Sequence, residues 1–145
     1  MAFLYNFSSY VSWPDSSFQS DQSEFTICLN TNQKLTELLS LTVVDEQINN
    51  RAFKVIKLTN FKNIENCYIV YISASEYHTL ATKLLKNTKL PILFVSDKKD
   101  FAILGGMIEI RQDDQHLKLL INLKRVEQSG LKIKSTLLNL ATIVD

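Results

Sequence analysis

Apolar positions along the chain switch between two periods. Phe3, Phe7 and Tyr10, with Leu4 and Val11, form a helical stripe over residues 2–12. Trp13-Pro14 ends it, because a proline disfavours helix in the residue before it. Residues 16–24 are polar and read as loop. Phe25, Ile27 and Leu29 alternate as a strand, and Leu35, Leu38 and Leu39 mark a helix over 33–42. A short strand follows at 53–58. Residues 67–72, Cys-Tyr-Ile-Val-Tyr-Ile, form a continuous apolar run that suits a strand buried on both faces. Ser73-x-x-Glu76 has the form of a capping box before a helix with core stripe Tyr77, Leu80, Ala81 and Leu84.

Pro91 to Val95 is the next buried strand, and Asp97 is placed to cap a short helix ending at Gly105. Residues 107–111 and 116–123 read as paired strands joined by a hairpin-sized link. A short helix over 123–129 ends near Gly130. A last helix over 135–144 would bury Leu137, Leu140, Ala141 and Val144. Strands alternating with helices predict a three-layer, Rossmann-like α/β sandwich with a mostly parallel central sheet. The late hairpin adds an antiparallel edge at the C-terminal side.

At 145 residues the whole chain, 1–145, is expected to form one domain. Net charge is +1 from 16 basic and 15 acidic residues, which is no electrostatic footprint for nucleic acid or for a polybasic membrane patch. Lys83, Lys86 and Lys89 cluster, and such clusters read as solvated faces. No run approaches the ~18 apolar residues of a membrane span. The opening Met1-Ala2-Phe3-Leu4-Tyr5 lacks the features of a signal peptide. Cys28 and Cys67, both on predicted strands, leave two readings open: buried free thiols, or a disulfide in an oxidising compartment.

Familiar reaction chemistry does not assemble from these residues. Neither G-x-G-x-x-G nor G-x-x-x-x-G-K-[ST] occurs, and Asn30-Thr31-Asn32 follows the first strand. A phospho-receiver would need acidic groups where Leu29 and Asn30 stand. His78 and His116 have no cysteines at metal-ligand spacing. A Cys28 or Cys67 nucleophile is disfavoured by placement inside strands rather than at a strand-to-helix turn. Asp113-Asp114 reads as a solvated hairpin tip. No catalytic residue, metal site or cofactor is therefore expected. Two features keep a functional reading open. Gly105-Gly106-Met107 offers bare backbone to a ligand or partner. Lys132 and Lys134 flank the start of the last helix, with Ser135 as N-cap, where an anion could sit.

Taken in order, the segments resemble one family. Ala2-Phe-Leu-Tyr-Asn-Phe7 through Trp13-Pro14 is similar to its opening, and Phe25-Thr-Ile-Cys-Leu29 to its first strand. Cys67-Tyr-Ile-Val-Tyr-Ile-Ser73 and Phe101-Ala-Ile-Leu-Gly-Gly-Met-Ile108 resemble two further elements. Ile121-Asn122-Leu123, Ser129-Gly130-Leu131 and Leu137-Leu138-Asn139-Leu140-Ala141 resemble its ending. The chain is thereby identified as a member of the YfiR family (DUF4154), with Phe101, Gly105, Gly106, Met107 and Asn122 as motif residues.

The resemblance implies a periplasmic, non-catalytic repressor. Such a protein binds the periplasmic sensor region of an inner-membrane diguanylate cyclase and lowers cyclic-di-GMP signalling and biofilm behaviour. It also implies a Cys28–Cys67 disulfide, a homodimer, and a mature chain whose signal peptide has been removed. A second cysteine pair that some members carry near the Gly-Gly-Met element is absent here. The aromatic residues Phe3, Tyr5, Phe7, Tyr10 and Trp13 are candidates for a partner or dimer interface. The alternative function is a periplasmic sensor of a small nucleotide or other anion near Lys132 and Lys134.

Overall fold

The computed structural model describes residues 2–18, 20, 23–77 and 89–144. The first helix, α1 (Ala2–Tyr10), buries Leu4 and Phe7, as its stripe predicts. It stops two residues short of the expected end. Val11 instead opens a two-residue strand, β1 (Val11–Ser12), which pairs antiparallel with β9 (Lys132–Ile133). A β-branched residue beside an available partner gains more from the ladder than from another half-turn of helix.

The main sheet begins with β2 (Phe25–Asn30), followed by α2 (Gln33–Val43). The Asn32 side chain caps α2 by accepting from the Leu35 N–H at 2.9 Å. Helix α2 buries Thr36, Leu39 and Val43, while Leu38 is half exposed. Next come β3 (Gln47–Ile48) and β4 (Arg51–Lys57), an antiparallel pair. Their turn residues, Asn49 and Asn50, have φ of 50° and 66°. A two-residue hairpin of this type needs both central residues left-handed, and asparagine tolerates that better than most residues.

Strand β5 (Ile69–Ile72) is buried throughout and is followed by a 3₁₀ turn at Ala74–Glu76. The capping box expected at Ser73 does not form. The Ser73 hydroxyl donates to the Asn30 carbonyl at 3.3 Å, back across to β2. Leu80, Ala81 and Leu84 of the expected helix lie outside the described residues, as do His78, Lys83 and Lys86.

Strand β6 (Leu93–Ser96) is also fully buried. Beyond it residues 98–105 form turns rather than the expected short helix, and Asp97 does not cap them. Its carboxylate accepts from the Ala74 N–H at 2.7 Å, joining the exit of β6 to that of β5. The hairpin β7 (Ile108–Asp113) and β8 (His116–Asn122) forms as expected, with Asp114 left-handed at its tip. Helix α3 (Leu123–Gln128) ends before Gly130, whose φ is +79°.

The C-terminal helix is the largest departure. Helix α4 (Ser135–Leu138) has only four residues, Leu140 is 78% exposed, and Thr142–Val144 is strand β10. Strand β10 lies parallel to β8. The outer side of β8 carries unpaired ladder groups, and a run of β-branched residues satisfies them better than a helix would.

The strand order is β10-β8-β7-β6-β5-β2-β4-β3. All pairings from β4 to β7 are parallel. The expected sandwich with a mostly parallel sheet and a late antiparallel hairpin is therefore present. Strand β10, not the hairpin, supplies that edge. Helix α1 contacts α2, and its rings reach the sheet through Phe3–Tyr71 at 6.2 Å and Tyr5–Phe53 at 5.2 Å.

Candidate functional site

The Gly-Gly-Met element is built around the backbone of one residue, Ala102. Its N–H donates to Oε1 of Glu109 at 3.1 Å, and its carbonyl accepts from Nδ2 of Asn122 at 2.9 Å. Glu109 is fully buried and its other oxygen accepts from Nε of Arg111 at 2.6 Å. The Glu109 carboxylate, by hydrogen bond and then by charge, raises the already high Arg111 pKa, and Asp100 adds to this from 3.4 Å. Asn122 does double duty, since its Oδ1 caps α3 by accepting from the Arg125 N–H at 3.1 Å.

Phe101 is wholly buried in the same loop, and its ring lies where a Cβ on Gly106 would be. The bare backbone at Gly106 thus admits an internal ring. Gly105, at φ +110°, makes the turn, and Met107 is buried. With its two ends held this way, the loop presents Ile103 and Leu104 outward, 55% and 57% exposed. Sequence reasoning missed Glu109. The available signal was an acid inside the apolar run Met107-Ile-Glu-Ile110.

The aromatic residues of the N-terminal segment divide into two groups. Phe7 and Trp13 are in the core. Trp13 meets Phe25 edge-on at 5.0 Å and donates its indole N–H to the Tyr68 carbonyl at 3.1 Å. Phe25, Tyr68 and Phe18 stack in series at 5.0 and 4.8 Å, and the Arg51 guanidinium covers Phe18 at 3.9 Å. Phe3 and Tyr5 are half-buried against the sheet, and the Tyr5 hydroxyl donates to Glu46 at 3.0 Å. That carboxylate raises the Tyr5 pKa. Tyr10 is 36% exposed.

Cys28 and Cys67 form a disulfide with a Cα–Cα separation of 5.9 Å. Cys28 lies in β2. Cys67 lies not within a strand, as expected, but at the end of a 3₁₀ turn just before β5. The aromatic stack sits beside it, through the neighbouring Tyr68.

Lys132 and Lys134 are exposed and lie on the seam between β1 and β9. Lys132 pairs with Ser12, and the Lys134 N–H donates to the Tyr10 carbonyl at 2.8 Å. Lys134, not Ser135, is the N-cap of α4. His116 opens β8 at the exposed hairpin tip. Among the described residues there is no group of three His, Cys, Asp or Glu side chains that could hold a metal ion. Among the same described residues no helix is long and apolar enough to cross a membrane.

At the opposite end of the parallel strands from the aromatic stack, a cleft of about 540 Å³ is lined by Tyr71, Asp97, Lys99 and Arg111 among apolar side chains. Burial raises the Tyr71 pKa, and the Asp97 charge and the hydrogen bond that the phenol donates to Asp97 raise it further, so the phenol stays protonated.

Comparison with known proteins adds one finding. The family model described as YfiR/HmsC-like (DUF4154) matches residues 1–142. No curated protein matches the chain.

Proposed function

The chain belongs to the YfiR/HmsC-like family, and on that premise we propose that it is a periplasmic regulator that binds the sensor region of a membrane-bound diguanylate cyclase and represses it. The family match over residues 1–142 carries this reading. The Cys28–Cys67 disulfide supports the oxidising compartment that the reading requires. Its mechanism is occupancy. A regulator that binds the inactive sensor conformation more tightly than the active one shifts the population toward the inactive state.

The loop tip Ile103–Leu104 is the surface we assign to the sensor region. Two exposed aliphatic side chains on a loop fixed by buried Glu109 and Asn122 can dock without first being ordered. Phe3, Tyr5 and Tyr10 each keep part of the ring at the surface, whereas Phe7 and Trp13 belong to the core. The role is regulatory and not enzymatic.

The test is cyclic-di-GMP output of cells carrying the cognate cyclase, with the chain present, deleted, or replaced by Ile103→Asp/Leu104→Asp. Deletion should raise output, and the double variant should match the deletion while folding normally. Unchanged output on deletion would refute the repressor role. A fully active double variant would refute the docking surface alone.

A further inference from the structure

The strand order reverses at one place in the sheet. From β2 the chain passes through α2 to β4 on one side, then returns to β5 on the other side and continues to β6 and β7. In open α/β sheets such a reversal leaves a crevice outside the carboxyl ends of the strands, where ligands bind. The cleft of about 540 Å³ opens at these ends. Its size falls within the range of small-molecule sites. Tyr71 is the penultimate residue of β5, Asp97 follows β6, and Ile110 and Arg111 lie where β7 runs beyond its pairing with β6.

Part of the wall is apolar: Phe3 of α1, Leu35 in the first turn of α2, and Ile110 and Leu117 of the hairpin, with Gln112 beside them. Leu117 is 52% exposed, so filling the cleft removes aliphatic surface from water. The charged groups sort by whether they are already engaged. Asp97 takes the Tyr71 hydroxyl and the Ala74 N–H. Arg111 is tied to Glu109 at 2.6 Å and to Asp100 at 3.4 Å. Lys99 has no ion pair among the described residues. Of the charged side chains lining the cleft, Lys99 is thus the one with neither an ion pair nor a side-chain hydrogen bond among the described residues, and it stands beside the apolar part of the wall.

We propose that this cleft binds a small organic carboxylate with an apolar body, the carboxylate pairing with Lys99 and the body lying against Phe3, Leu35 and Leu117. The site goes beyond the partner-binding reading, and its test needs no partner protein.

That test is an amide-resolved NMR titration of the intact chain with benzoate, with benzamide as an uncharged analogue of the same shape, and with acetate as a charge without a body. Benzoate should give saturable shifts centred on Tyr71, Lys99 and Leu117. Benzamide and acetate should each bind at least about tenfold more weakly, and Lys99→Glu should weaken benzoate by a similar factor. Lys99→Arg should keep binding. Any one of three results overturns the proposal: no saturable benzoate shift, equal affinity for benzoate and benzamide, or unchanged benzoate affinity in Lys99→Glu.

Discussion

Replacing Gly106 by alanine tests the reading of the Gly-Gly-Met element as a packing device. The backbone at Gly106 suits any residue, so the substitution introduces no φ strain, and losing glycine freedom in the unfolded chain would by itself stabilise by about 0.4–1 kcal/mol. Against this, the new methyl meets the ring of Phe101, which is wholly buried and cannot swing into solvent. Overpacking of this kind costs about 1–3 kcal/mol. The net expectation for Gly106→Ala is a loss of about 1–2 kcal/mol. Phe101→Leu removes the ring and leaves a cavity, with a loss of about 1–3 kcal/mol.

The double variant is the informative one, because the alanine methyl then enters space that the ring has vacated. Its loss should fall short of the sum of the two single losses by about 1–2 kcal/mol. Urea unfolding of the four proteins at fixed pH measures the cycle. Losses that add to within about 0.5 kcal/mol, or a stabilising Gly106→Ala, would show that the glycine is there for something other than the ring.

Three further outcomes follow from the same structure. Reducing Cys28–Cys67 should lower stability by about 4 kcal/mol in the chain-entropy treatment, for a sequence separation of 39. Chemical denaturation with and without reductant measures this, and a loss below about 1 kcal/mol would contradict it. Asn122→Ala should cost about 2–4 kcal/mol, because it leaves the buried Ala102 carbonyl unpaired and uncaps α3. Asn122→Asp keeps the acceptor that caps α3 but sets a second acceptor, with a buried charge, against the Ala102 carbonyl, so it should cost at least as much as Asn122→Ala. Tyr5, Tyr68 and Tyr71 all have pKa values raised above 10.0 on folding. Their protonated forms are favoured in the folded state, so stability is intact below about pH 10 and falls as pH rises above it. Denaturation midpoints at pH 9 and pH 11 should show this fall, and Tyr71→Phe should reduce it.

The parts of the fold legible in the sequence are those whose signal is local. Residues 69–72 read as a central strand because nothing in the run needs water, and α2 reads as a helix from its own periodicity. Strand β10 was hidden because Leu137, Leu140, Ala141 and Val144 fall at helical spacing, while the cause of the strand is the open side of β8. By sequence position alone the Ser73 and Asp97 side chains are placed to cap the helices that follow them. Both serve neighbouring strands instead, a pairing set by strand order. The partnership of Cys28 with Cys67 could not be derived from either residue and came from resemblance alone. Of the candidate site, the motif residues around Phe101 and Gly106 were visible. Glu109 and Lys99 were not, since the grip on Ala102 and the cleft exist only once distant segments meet.

The disulfide also partitions the molecule. Between Cys28 and Cys67 lie α2, β3 and β4, which is one whole flank of the sheet beyond β2. A backbone cut anywhere in that stretch would leave two fragments still covalently joined, with β2 and the entry to β5 held side by side. Even with the flank detached, the disulfide would keep β2 tied to the entry of β5. A nicked chain would run as two pieces only after reduction.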